Sequence, residues 1–136
     1  YPELNRDLLI SGCLLHDIGK VIELSGPIAT KYTEEGTLLG HLTIGMSLVK
    51  EIADQLNIKS EVPMLLEHMI LSHHGKLEFG AAVLPLTREA LILSMIDDMD
   101  AKMMMLDKAY KDVEEGSYTE RLFGLDNRAF YKSKAK

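Results

Sequence analysis

Apolar residues recur at helical spacing in four separate stretches of the chain. Leu4, Leu8, Leu9 and Leu15 predict a first helix from about Glu3 to Ile18, with Pro2 at its start and Gly19 as its stop. From Leu24 to Leu39 the 3.6-residue period fades and Gly26, Pro27, Gly36 and Gly40 intervene. This stretch reads as a loop with a short hairpin across Ile28–Tyr32 and Thr37–Leu39. Ile44, Leu48, Val49, Ile52 and Leu56 share one stripe and predict a second helix from about Leu42 to Leu56. A third opens at Ser60, or at Glu61 before Pro63, and runs to His73. Gly75 to Pro85 is again irregular. Thr87 is placed to cap a long fourth helix with Leu91, Met95, Ile96, Met99 and Met103 inward, ending near Tyr110 or Glu115 before Gly116 and Ser117. The pattern is all-α, with two loops long enough to suggest function.

Composition agrees with that class. The 136 residues fit one domain, with residues 1–116 as a helical core and 117–136 as a tail. Aromatics are 6%, Trp is absent and Met numbers 8, so Leu, Ile and Met should fill the core, a mixture that favours helices over a sandwich. The one cysteine, Cys13, excludes a disulfide framework and a cysteine zinc ribbon, suits a reducing cytoplasm, and reads as a small buried residue. No membrane span and no signal peptide are predicted. Net charge is −6, which excludes a broad basic surface holding nucleic acid by phosphate neutralisation alone, but not chemistry on phosphates through bound cations. The final twenty residues carry five basic side chains against Glu120 and Asp126, so the first 116 carry −9 and the end reads as a solvated, frayed tail.

The chemistry-bearing residues are ordered along the chain. His16-Asp17 closes the first helix, His41 opens the second, and His73-His74 closes the third, each next to a glycine junction. The fourth helix offers Asp97, Asp98 and Asp100, of which Asp97 and Asp100 share a face. Apolar neighbours surround these acids, so at least one should be buried and in need of a cation or several hydrogen bonds. Imidazole with carboxylate and no thiolate suits Mn, Fe, Co or Zn better than Ca²⁺. His68 precedes His73 by five residues, about 140° round the helix, and is expected in an outer role rather than on the same ion. The Met95, Met99, Met103 stripe reads as core.

Leu14-Leu15-His16-Asp17-Ile18-Gly19-Lys20, with the order H…HD…H…HH…D, resembles the HD-domain superfamily of metal-dependent phosphohydrolases. The resemblance implies an all-α HD-domain helical bundle in which His16-Asp17, His41, His73-His74 and Asp97 are metal ligands. Asp17 would bridge two ions, with His16 and Asp97 on one and His41, His73 and His74 on the other. Two such cations clamp a phosphodiester and acidify a bridging water. With a single ion, His41 and His73 would instead contact phosphate and His74 would stand behind them. Asp17 and Lys20 are the expected catalytic pair, Lys20 holding a substrate phosphate or orienting the carboxylate.

The segment Ile70-Leu71-Ser72-His73-His74-Gly75-Lys76-Leu77-Glu78-Phe79-Gly80, with Ile96-Asp97-Asp98-Met99-Asp100-Ala101-Lys102, is similar to the YhaM-type 3′–5′ exoribonucleases of Gram-positive bacteria. That resemblance adds Lys20, Lys76 and Glu78 as substrate contacts. It implies two divalent transition-metal ions, Mn first and Co, Fe, Ni or Zn as alternatives. The expected partner is the 3′ end of single-stranded RNA or DNA, reached from a cytoplasmic chain away from membranes, with homo-oligomerisation left open. The family has a further histidine upstream of the HD step and an OB-fold domain before it. No histidine precedes His16, so the sequence is expected to be the C-terminal part of a longer chain, and inactivity of this part alone is one expectation. Two other readings stay open: an HD phosphohydrolase acting on a nucleotide or cyclic dinucleotide, and a non-catalytic HD module.

Overall fold

The computed structural model describes residues 1–135; Lys136, counted above with the tail, lies outside the described residues. The order is α1 (Arg6–Leu15), α2 (Lys20–Glu23), β1 (Leu24–Ser25), β2 (Lys31–Tyr32), α3 (Glu34–Gln55), α4 (Val62–Ser72) and α5 (Arg88–Tyr110). Single 3₁₀ turns lie at Leu77–Phe79 and Phe123–Leu125. The helical class expected from the apolar pattern is the class observed. The chain divides into two compact units, Tyr1–Met95 and Ile96–Lys136.

In the first unit, α4 is the most deeply buried element. Met69, Ile70, Ser72 and His73 on it are almost wholly enclosed. Met69 joins Leu8, Ala90 and Leu93 in the core, with Leu9, Leu65 and Leu66 packed around them. The α1 helix is shorter than its apolar pattern implied, because the Asn5 side chain accepts from the Leu8 amide at 3.1 Å and starts the helix there. Pro2 therefore lies before the helix rather than on its first turn. An apolar cleft lined by Leu15, Ile18, Leu48, Ile52, Val62 and Leu66 holds none of the histidines.

The expected Leu24–Leu39 loop is a helix over its last third. The hairpin pairs Leu24 with Tyr32 and Ser25 with Lys31, not Ile28–Tyr32 with Thr37–Leu39. Thr33 then caps α3, its hydroxyl accepting from the Gly36 amide at 2.8 Å, and the helix starts at Glu34. Gly36, which read as a breaker, is there for space: a Cβ would lie 2.3 Å from the Glu23 carbonyl oxygen. The break comes at Gly40, whose φ of 69° and ψ of 154° kink α3 and separate Glu34–Leu39 from the longer arm that begins at His41.

The inward face of α5 also differs from expectation. Ala90, Leu93 and Ser94 are buried on it, whereas Leu91, Met95, Ile96, Met99 and Met103 are exposed, Met95 to 64%. Apolar residues lie on more than one side of this helix, so periodicity alone could not choose the face. Cys13, expected inside, is exposed.

In the second unit the chain after α5 is folded rather than frayed. Isolated antiparallel bridges join Tyr118 to Tyr131 and Leu122 to Arg128, and Thr119 and Leu125 are buried. The Lys132 ammonium donates to the carbonyls of Tyr110 at 2.8 Å and Val113 at 2.6 Å, placing a cation at the C-terminal end of α5 where the helix dipole is negative.

Candidate metal centre

Five of the predicted ligands converge in the first unit. His16 is the C-terminal cap of α1 and Asp17 follows in the turn to α2; His41 begins the second arm of α3; His73 is the C-terminal cap of α4, with His74 next. Two sets of ligand atoms each lie within 4.8 Å of one another: His16, Asp17 and His73, and His41, His73 and His74. His73 belongs to both. Its ring centroid is 4.9 Å from that of His16, 5.7 Å from His41 and 4.5 Å from His74.

Gly19 explains how Asp17 reaches His41. A Cβ on Gly19 would lie 2.0 Å from the His41 carbonyl oxygen and 2.8 Å from the Gly45 amide nitrogen. Both contacts are to backbone, which cannot move aside. The glycine after His16-Asp17-Ile18 thus lets the turn dock on the start of the second α3 arm.

The hydrogen bonds of three imidazoles fix which nitrogen faces the centre. Nδ1 of His16 donates to the Cys13 carbonyl at 2.9 Å, Nδ1 of His73 to the Ile70 carbonyl at 2.8 Å, and Nδ1 of His41 to Glu23 Oε1 at 3.1 Å. These assignments follow from partners that can only accept. The Nε2 atoms then face Asp17: His16 at 3.6 Å from Oδ2, and His41 and His73 each at 3.6 Å from Oδ1. Burial pushes the His73 pKa down to about 4, assisted by His74 and His16 and opposed by its Ile70 hydrogen bond and the Asp17 charge. His73 is therefore neutral at pH 7, its one proton engaged at Ile70, and its Nε2 lone pair points at a carboxylate.

Such an arrangement is repulsive without a cation between the groups. Asp17 Oδ1 and His41 Nε2 are buried and have no hydrogen-bond partner among the described residues. Ligands bound at about 2.0–2.2 Å to one ion stand roughly 3–3.6 Å apart, the separation seen here. The donor set, the orphaned oxygen and the spacing fit a divalent transition metal.

Asp17 is held as an anion. Partial burial raises its pKa, but the Lys20 hydrogen bond and charge, with His16 and His73, outweigh that and keep the carboxyl below its ordinary value. Lys20 Nζ donates to Asp17 Oδ2 at 2.7 Å, which leaves Oδ1 to His41 and His73.

The two ligand sets do not include the remaining predicted residues. Lys76 and Glu78 form an exposed ion pair at 3.4 Å on the turn after His74. Asp97, on α5 in the second unit, is partly buried; both ligand sets above are drawn from the first unit. Asp98 and Asp100 are exposed, so no member of the acidic trio is buried as the apolar neighbours suggested, and Asp98 is paired with Lys102 one turn on. His68 is in neither ligand set, and its Nε2 accepts from the Leu86 amide at 2.9 Å. The sequence reading missed Glu23, whose only trace was a lone acid between Ile22 and Leu24.

The HD domain family matches residues 1–102, which include every histidine and all three acids of the Asp97–Asp100 stretch. The chain belongs to that family, and membership points to a metal-dependent phosphohydrolase. No solved structure matches it.

Proposed function

We propose that the protein is a metal-dependent phosphodiesterase that removes nucleoside monophosphates from the 3′ end of single-stranded RNA. The observation that carries the phosphohydrolase chemistry is the set of imidazole Nε2 atoms around the unpartnered Asp17 Oδ1. Divalent ions held there, Mn²⁺ foremost, would polarise a phosphodiester and acidify a water for attack. His16, Asp17, His41, His73 and His74 would hold them, with Asp97 as a further ligand. Lys20 keeps Asp17 ionised and oriented, and its ammonium, partly exposed, is available to a substrate phosphate.

The turn after His74 supports a polynucleotide substrate. A Cβ built on Gly80, whose φ is 91°, would lie 3.5 Å from His74 Nδ1, so this turn runs beside that imidazole. Next to it Phe79 is exposed, with the Lys76 ammonium 5.0 Å from its ring centroid. An exposed aromatic face with a cation beside it is the pairing that stacks a base and holds the adjoining phosphate. The resemblance of the Ile70–Gly80 segment to YhaM-type exoribonucleases favours RNA within that chemistry.

The test is incubation of the full natural chain with single-stranded RNA labelled at its 5′ end, with Mn²⁺ present. A ladder shortening from the 3′ end, abolished by chelator, is expected. The net charge of −6 favours a second reading, a nucleotide or cyclic dinucleotide substrate. Turnover of those compounds with none of RNA would move the assignment there. Metal binding with no turnover of either would assign a non-catalytic module.

A further inference from the structure

We propose that Glu23 is the positioning residue for His41: its carboxylate holds the Nδ1 proton of that imidazole and commits Nε2 to the metal. The inference rests on the reading of His41 as a ligand.

Glu23 is a buried carboxylate, 6% exposed, and so requires donors. Its Oε1 has two, both from His41: the backbone amide at 3.0 Å and Nδ1 at 3.1 Å. The amide is available because the Gly40 kink makes His41 the first residue of a new helical arm, whose amide has lost its partner in the preceding turn. One oxygen therefore caps the arm and orients its first side chain.

The carboxylate is itself held in place. The Glu23 amide donates to the Gly19 carbonyl at 2.9 Å, and the Glu23 carbonyl accepts from the Thr33 amide at 2.9 Å. The Thr33 hydroxyl lies 3.3 Å from the same carbonyl, and Gly36 leaves room for it at the start of α3. Glu23 ends the short helix that begins three residues after Asp17, so the carboxylates of Asp17 and Glu23 reach the two nitrogens of the His41 ring from one segment. An anionic acceptor on Nδ1 fixes the ring, excludes the other tautomer and raises the basicity of Nε2, effects that commonly amount to ten- to a hundredfold in metal affinity.

The test compares wild type, Glu23→Gln and Glu23→Ala. Long-range ¹H–¹⁵N correlation spectra of the metal-free proteins read the His41 tautomer, and calorimetric titration with Mn²⁺ alone reads affinity. Wild type should show the Nδ1–H tautomer. Glu23→Gln, which keeps the shape and loses the anion, should bind Mn²⁺ about ten- to a hundredfold more weakly with helicity unchanged. Combining it with His41→Ala should weaken binding no further than His41→Ala alone, because the effect passes through that ring. The inference is overturned if wild-type His41 carries its proton on Nε2, or if both Glu23 variants bind Mn²⁺ within twofold of wild type. If no protein binds Mn²⁺ yet Glu23→Ala alone moves the His41 proton to Nε2, the metal reading fails and the positioning of the ring by Glu23 stands.

Discussion

Asp17 and Gly19 make opposite demands on the same turn. Asp17 supplies an anion that three imidazole Nε2 atoms face at 3.6 Å and that the Lys20 ammonium holds ionised. Asp17→Asn keeps the side-chain size and removes that charge. Retention of metal through purification should be lost, and the melting temperature of the chelator-treated protein at pH 7.5 should fall modestly, because the anion that Lys20 holds below its ordinary pKa stabilises the fold. Elemental analysis with thermal melts measures both, and equal metal in the two proteins would remove Asp17 from the ligand set. Gly19→Ala, one methyl away from wild type, should be the more damaging change to folding. Its Cβ would fall 2.0 Å from the backbone oxygen of His41, so the turn must pull away from α3. A loss of at least about 2 kcal/mol in urea unfolding is expected, with weaker metal binding as Asp17 retreats. An alanine variant as stable as wild type would show that the approach of these backbones is not required.

Among the elements, α3 and α5 show what periodicity could and could not reveal. The long arm of α3 and all of α4 were legible as helices from their apolar spacing, although Ile52 and Leu56 of the expected α3 stripe are exposed and Leu42, Ile44 and Ala53 are buried instead. The first turns of α3 were not, since Gly36 reads as a breaker unless one knows that Glu23 lies against it. The buried face of α5 was misread for a related reason: several of its faces are apolar, and what chose among them was tertiary contact by Ala90 and Leu93. The histidine order survived because motif spacing does not depend on which helix face is buried. Register on α5 can still be tested. Asp98 pairs with Lys102 at the surface, whereas Asp97 is partly buried about 100° round the helix. If Asp97 is the last ligand, Asp97→Asn should lower turnover by orders of magnitude and reduce bound metal, with helicity unchanged by circular dichroism. Asp98→Asn should leave turnover within a small factor. The reverse result would place the motif one residue out of register.

At the scale of the whole chain, the metal-free protein should be an acid-sensitive fold well above the pH at which carboxylates usually titrate. His73 has its pKa pushed by burial from 6.5 to about 4. His68 is also held below 6.5, again by burial, and its Nε2 must stay unprotonated to accept from the Leu86 amide. Below pH 6.5 the unfolded chain takes up these protons and the folded chain resists, so protonation favours unfolding. The stability these neutral rings contribute is complete above 6.5 and is lost as pH falls toward 4, where the His73 share amounts to on the order of 2–3 kcal/mol. Asp17, with its pKa below 3.8, adds a loss only at still lower pH. Urea unfolding in chelator at pH 7.5, 6, 5 and 4.2 should show a level region and then a steady fall, shallower in His73→Asn. Mn²⁺ at saturating concentration should raise stability at pH 7.5. Metal-free stability unchanged from pH 7.5 to 4.2 would mean that His73 titrates alike in folded and unfolded chains, and the neutral ring facing Asp17 would then fail as a description of the centre.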